Sequence, residues 1–137
     1  MNPAALKEQT LSLVKRITQL QKKMDTTEKR INTLKEQGVL DANPYWMKNK
    51  KGEPAYFCLY SSEKIKPKKT VQKIKYVGQS EVEIKNILNA IERAKEVQRL
   101  EQIKNNLSSV IDLVEDALNE ASQYIQVALE QGELDAS

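Results

Sequence analysis

The stretch PYWMKNKKGEPAYFCLYSSEKIKPKKTVQKIKYVG, Pro44 to Gly78, differs in kind from what lies on either side of it. It holds the single Trp, the single Phe, the single Cys and four of the five Tyr of a 137-residue chain. "PYWMKN" and "AYFCLYS" flank "KKGEP", in which Gly52 can take the positive φ that short hairpin connections require. "TVQKIKYVG" is rich in β-branched and aromatic residues and reads as a third strand. Three antiparallel strands suffice for a small sheet with one face packed on an apolar partner. Alternation along the strands sorts the faces. Phe57, Leu59 and Ile74, with Trp46 beside them, are expected to pack against helix ends. Tyr56, Tyr60, Lys73 and Lys75 are then expected to share the outer face, while the alternation leaves Tyr45 and Trp46 open.

The flanks read as helices. Leu6, Thr10, Leu13, Ile17, Leu20, Met24, Thr27, Ile31 and Leu34 step by alternating fours and threes, a heptad seam held for about four heptads. Pro3 suits a first helical turn and Gly38 a C-terminal cap, so residues 1–40 form one coiled-coil helix of roughly 35 residues. The narrow stripe implies one main partner helix. Past the insert, "SEVE" at Ser80 places Glu83 three residues on, a capping box. Apolar positions then recur with helical spacing to about Leu129, and residues 79–132 read as the second helix. Ser109 followed by Asp112 could cap a fresh helix, so a break near 105–109 stays open beside a continuous helix. The expected fold is α+β and mainly α: a long antiparallel helical hairpin with a three-stranded antiparallel sheet inserted at its tip, residues 44–78.

The second helix widens its apolar surface toward its end. One seam uses Leu107, Ile111, Val114, Leu118, Ala121, Ile125 and Ala128, and an adjacent one Ile103, Val110, Ala117 and Tyr124. A stripe that wide has two neighbours to cover. If the first helix folds back directly from the insert, it runs out near residue 115. Either a bent helix covers its own core, or the C-terminal half forms a homodimer; the reading taken here is the dimer.

Charge separates the segments. Pro44–Gly78 carries nine Lys against Glu53 and Glu63, a net of +7, whereas residues 79–137 carry five basic and twelve acidic residues, with none basic after Lys104. The insert's cations are Lys48, Lys50, Lys51, Lys64, Lys66, Lys68, Lys69, Lys73 and Lys75. Lysine on edge strands also discourages edge-to-edge pairing. The local excess, the neighbouring Tyr56 and Tyr60, and the segment "EKIKPKK", read as a loop extending from the sheet, point beyond that role. Rows of cations neutralise phosphates, and adjacent aromatics pack on sugars or bases. The insert has no Arg, which argues against bidentate reading of guanine.

Other chemistries find little footing. The chain has no histidine, which removes Ser-His-Asp and Cys-His catalysis and nearly all catalytic zinc sites. Neither G-x-x-x-x-G-K-[ST] nor G-x-G-x-x-G occurs. Catalytic residues, metal ligands and cofactors are therefore not expected, and Cys58 is read as a small packed residue. No apolar run approaches the roughly 18 residues of a membrane span, and "MNPAALKEQT" lacks a signal-peptide core, so a cytoplasmic protein is expected.

Tyr-x-Leu-Tyr (Tyr56 to Tyr60), a lysine-rich turn and "KIKYVG" leading into a helix resemble the small three-stranded modules of mobile-element proteins. These are the arm-binding domains of tyrosine recombinases and the β-meanders attached to some transposases. In those recombinase domains the sheet enters the major groove. The resemblance implies that the face carrying Tyr56, Tyr60, Lys73 and Lys75 meets DNA; it covers only residues 44–78, and no recombinase catalytic set accompanies it. The expected function is a non-enzymatic, dimeric DNA-binding accessory protein acting on duplex DNA through phosphate-led contacts. The alternative is a structural or adaptor coiled coil whose insert binds another protein. Attachment of the basic insert to anionic lipid is disfavoured, because its apolar residues are needed for its own core.

Overall fold

The computed structural model describes residues 2–66, 69–78 and 80–136, with side chains described except at 55, 56, 61–66, 69–76 and 133–136. The fold is α+β and mainly α. Helix α1 spans Pro3–Gln37, strands β1, β2 and β3 span Asn43–Lys48, Pro54–Lys66 and Lys69–Gly78, and helix α2 spans Glu81–Ala136. The strands form one antiparallel meander in the order β1-β2-β3.

Local chemistry sets the ends of each element. At the start of α1 the Asn2 side-chain oxygen accepts the Ala4 N–H at 3.0 Å, satisfying one of the orphan donors of the first turn. Gly38 ends the helix with φ +100°, its N–H donating to the Lys35 carbonyl at 3.1 Å. At α2 the Ile84 N–H reaches the Ser80 carbonyl at 3.0 Å and the Glu83 N–H points at Ser80 Oγ at 3.5 Å. No break occurs at 105–109: α2 is one helix of 56 residues. Ser109, which could have capped a new helix, instead donates its hydroxyl to the Asn105 carbonyl one turn back, at 3.1 Å. Thr27 does the same to Lys23 at 2.8 Å, which is how a hydroxyl comes to occupy a buried seam position.

The chain divides into two compact units, Lys29–Glu101 and Met1–Glu28 with Gln102–Ser137. In the first, Phe57 and Leu59 pack with Ile84 and Ile91 of α2, and Leu40, Ala42, Val77 and Ile87 close around them. Ile31, Leu34, Val97 and Leu100 are also buried in this unit. The end of α1 is fastened by polar contacts: Arg93 Nε donates to the Gly38 carbonyl at 2.7 Å, the Leu40 N–H reaches the Ala90 carbonyl at 3.2 Å, and Lys35 pairs with Glu101 at 3.4 Å. These contacts correct the expected helix register. The first turns of α2 serve the sheet, so Gly38 lies opposite Arg93 and not opposite the residue that follows the insert.

A Cβ added at Gly38 would find its nearest neighbour, Arg93 Nη2, at 4.0 Å. Space is therefore available, and the cost of a side chain there is conformational. Gly38→Ala is expected to lower stability by about 1 kcal/mol, the penalty for an L-residue at positive φ, as a reduced urea midpoint with unchanged slope.

In the second unit, Glu28 pairs with Lys104 at 3.4 Å, so the two helix segments run antiparallel. The 25 residues from Glu28 back to Pro3 are enough to reach about residue 129, but burial along the two helices ends at Ile17 and Val114, near the expected limit of residue 115. Half-burial follows the predicted seams at Ile17, Leu20 and Met24 of α1 and at Ile103, Leu107, Ile111 and Val114 of α2. Among the described residues of this unit, Thr27 alone is buried.

Candidate nucleic-acid interface

The first hairpin is shaped by an asparagine. Asn49 Oδ1 accepts the N–H groups of Lys51 and Glu53 at 2.9 and 3.1 Å, and Gly52 adopts φ +77° as its sequence position predicts. The turn leaves Lys48, Lys50 and Lys51 exposed around a shallow concavity that also includes Asn49 and Glu53. These three predicted cations are therefore grouped at one end of the β1–β2 hairpin.

The second hairpin is longer than expected. "EKIKPKK" is largely strand: Ser61, Ser62, Glu63 and Lys64 pair with Lys73, Gln72, Val71 and Thr70, and Lys66 pairs with Lys69. Strand β1 reaches β2 only as far as Tyr60. Residues 61–66 and 69–73 thus form a two-stranded ribbon extending past β1 by roughly 20 Å, at about 3.3 Å per residue. Lys64, Lys66, Lys69 and Lys73 belong to this ribbon. Lys68, also predicted as a site residue, lies outside the described residues, as do the side chains of Tyr56, Lys64, Lys66, Lys69, Lys73 and Lys75.

The register corrects the expected faces. Phe57 pairs with Gly78 but Cys58 pairs with Tyr76, so a bulge intervenes on β3. A one-residue slip moves every later position to the opposite row. In consequence Ile74 is opposite Tyr60, and Lys73 and Lys75 are opposite Ser61 and Leu59. By register, Lys73 and Lys75 do not share a row with Tyr60, and Ile74 does not share one with Leu59. The ribbon's lysine positions are accordingly distributed over both rows, with Lys64 two residues along from Ser62 on Tyr60's side.

Two aromatics left open by alternation are placed by pairing. Trp46 is opposite Phe57 and meets it edge to face, with ring centroids 5.3 Å apart and planes at 66°; Phe57 is fully buried but Trp46 stays 45% exposed. The expected burial of Trp46 is therefore only partial, because β1 is an edge strand with all six residues exposed. Tyr45, opposite Cys58, is 53% exposed and joins the partly buried Tyr60 on the outer face. Counting back from the Gly52 hairpin along both strands would have found it. Cys58 is a buried free thiol, packed as expected.

Comparison with known proteins adds nothing to this geometry. No family model, curated protein or solved structure matches the chain. The interface is therefore read from its own residues. Among the described residues, no helix is long and apolar enough to cross a membrane. On α2, Arg99 donates to Glu96 through Nε at 2.9 Å and through Nη2. That hydrogen bond, more than simple charge attraction, holds the Glu96 carboxyl below the usual carboxylate range. Glu96 is half-buried and Arg99 exposed, one helical turn apart on α2, so the pair supports the helix surface.

Proposed function

We propose that this chain is a non-enzymatic DNA-binding protein of the cytoplasm that lays its β2–β3 ribbon in a groove of duplex DNA. The observation that carries the reading is the ribbon itself: backbone-paired strands reaching beyond β1, with Lys at positions 64, 66, 69 and 73. A two-stranded ribbon fits the major groove of B-DNA, about 12 Å across. Phosphates line both walls of that groove, so cation positions on both rows of the ribbon suit it better than they suit a flat surface. Lys48, Lys50 and Lys51 offer a second group of cations for the flanking backbone, and Tyr45 and Tyr60 offer ring surface for sugars. With no Arg between Pro44 and Gly78, affinity comes from phosphates and depends weakly on sequence.

Counterion release makes this measurable. If about five phosphates are neutralised, the slope of log K against log salt is about −4.5, a loss of about 500-fold between 50 and 200 mM salt. Fluorescence anisotropy with unrelated 20-base-pair duplexes is expected to give that slope with little difference between sequences. A slope near zero, or binding to single strands alone, rules the reading out.

The adaptor reading is favoured by one feature, the exposed edge of β1 with Tyr45 and Trp46 on it. Open sheet edges accept an added strand from a partner. Retention of a stoichiometric protein on the immobilised chain after nuclease treatment, and its loss on Trp46→Ser, would support it.

A further inference from the structure

The unit built from Met1–Glu28 and Gln102–Ser137 cannot cover its own apolar surface. Apart from the buried Thr27, its seam positions are half-buried at best among the described residues, and Leu6 and Leu13 of α1 are exposed although they lie on that seam. On α2 a second stripe, Val110, Leu113, Ala117 and Tyr124, lies about a quarter-turn round the helix from Leu107, Ile111 and Val114. All four of its members are exposed, Leu113 and Tyr124 by 68% and 69%. One antiparallel neighbour can cover the first stripe but not the second.

Charge on the two helices indicates what covers it. Between Pro3 and Glu28, α1 carries five cations, Lys7, Lys15, Arg16, Lys22 and Lys23, against Glu8, Asp25 and Glu28, the last already paired with Lys104. After Lys104, α2 carries seven carboxylates and no cation. Two copies meeting α2 to α2 would oppose carboxylates with carboxylates, and α1 to α1 would oppose cations. Only α1 against the partner's α2 brings opposite signs together, and a two-fold axis makes that contact twice. The 26 residues from Pro3 to Glu28 span roughly 39 Å. A face two helices wide, each about 10 Å across, presents roughly 800 Å² per copy, the area of a standard stable interface.

We infer that the chain forms a two-fold homodimer in which the α2 stripe Val110, Leu113, Ala117 and Tyr124 packs against α1 of a second copy. The interface is a four-helix arrangement whose order is fixed by charge. It stands on the helices alone and is independent of whether the ribbon binds DNA.

The test uses the full chain at 0.15 M salt. Light scattering at 100 µM is expected to give roughly 31 kDa, twice the 15.7 kDa of one chain; a monomer at that concentration overturns the inference. Leu113→Arg with Tyr124→Arg sets cations against the partner's α1 and is expected to weaken dimerisation at least 100-fold with far-UV helicity retained. Unchanged dimerisation overturns the inference. The order of the helices is tested by two charge reversals at positions that flank the proposed contact, Arg16→Glu/Lys23→Glu and Asp116→Lys/Glu120→Lys. Each alone is expected to be monomeric, and an equimolar mixture to form the mixed dimer, because both reversed contacts are then restored. Full dimerisation of either variant alone, or no mixed dimer, overturns the cross-pairing.

Discussion

Replacing Lys64, Lys66, Lys69 and Lys73 together by Glu is expected to reduce duplex DNA affinity about a thousandfold or more at 0.1 M salt. Four lost phosphate contacts account for most of this, since each contributes a factor of about eight at that salt through counterion release. Repulsion between the new carboxylates and phosphates adds to the loss. The salt slope should fall by about four units toward zero. All four positions lie in the ribbon beyond β1, so the change leaves the buried cluster around Phe57 and Leu59 untouched. Far-UV circular dichroism and the urea midpoint should match the parent. Lys75 is deliberately left in place, because it is opposite Leu59 within the three-stranded part of the sheet and its replacement would mix stability with binding. Parent-like affinity in this variant would remove the ribbon as the DNA-binding element.

How far the sequence reveals this architecture depends on which force holds each part. The helices are legible because burial imposes a period: the seam through Ile17, Leu20, Met24, Thr27, Ile31 and Leu34 appears directly as half-buried or buried positions. The existence of three strands is legible from aromatic and β-branched runs separated by a glycine turn. The ribbon is not, because Glu63–Lys69 has little apolar alternation and contains Pro67. Its pairing rests on backbone hydrogen bonds, which leave no trace in side-chain pattern. The bulge on β3 is equally silent, and without it Ile74 and Tyr76 would fall on Leu59's row as alternation alone suggests. The helix register is hidden for a related reason. Ile84, Ile87 and Ile91 carry a helical period whether their partner is α1 or the sheet, and only the fold shows that the sheet takes them.

Phe57→Ala is expected to be the most destabilising single substitution in the Lys29–Glu101 unit, by about 3–5 kcal/mol. Phe57 is fully buried between the sheet and α2, where Ile84 and Ile91 cannot follow a retreating ring without leaving the helix axis. Truncation therefore leaves a cavity and removes the edge contact with Trp46, itself worth about 0.5–1.5 kcal/mol for an aromatic pair. Trp46→Ala should cost less, because that ring is already 45% in solvent. The neighbouring thiol gives a local readout besides the denaturation midpoint. Cys58 is buried in the native sheet, so a thiol reagent reaches it only when the strands open. If Phe57 is what seats β2 on α2, its loss should accelerate Cys58 modification by a hundredfold or more under native conditions. Helicity of the Met1–Glu28 and Gln102–Ser137 segments should change little. A reaction rate equal to that of the parent would mean that the sheet is held by its own ladder and not by this contact.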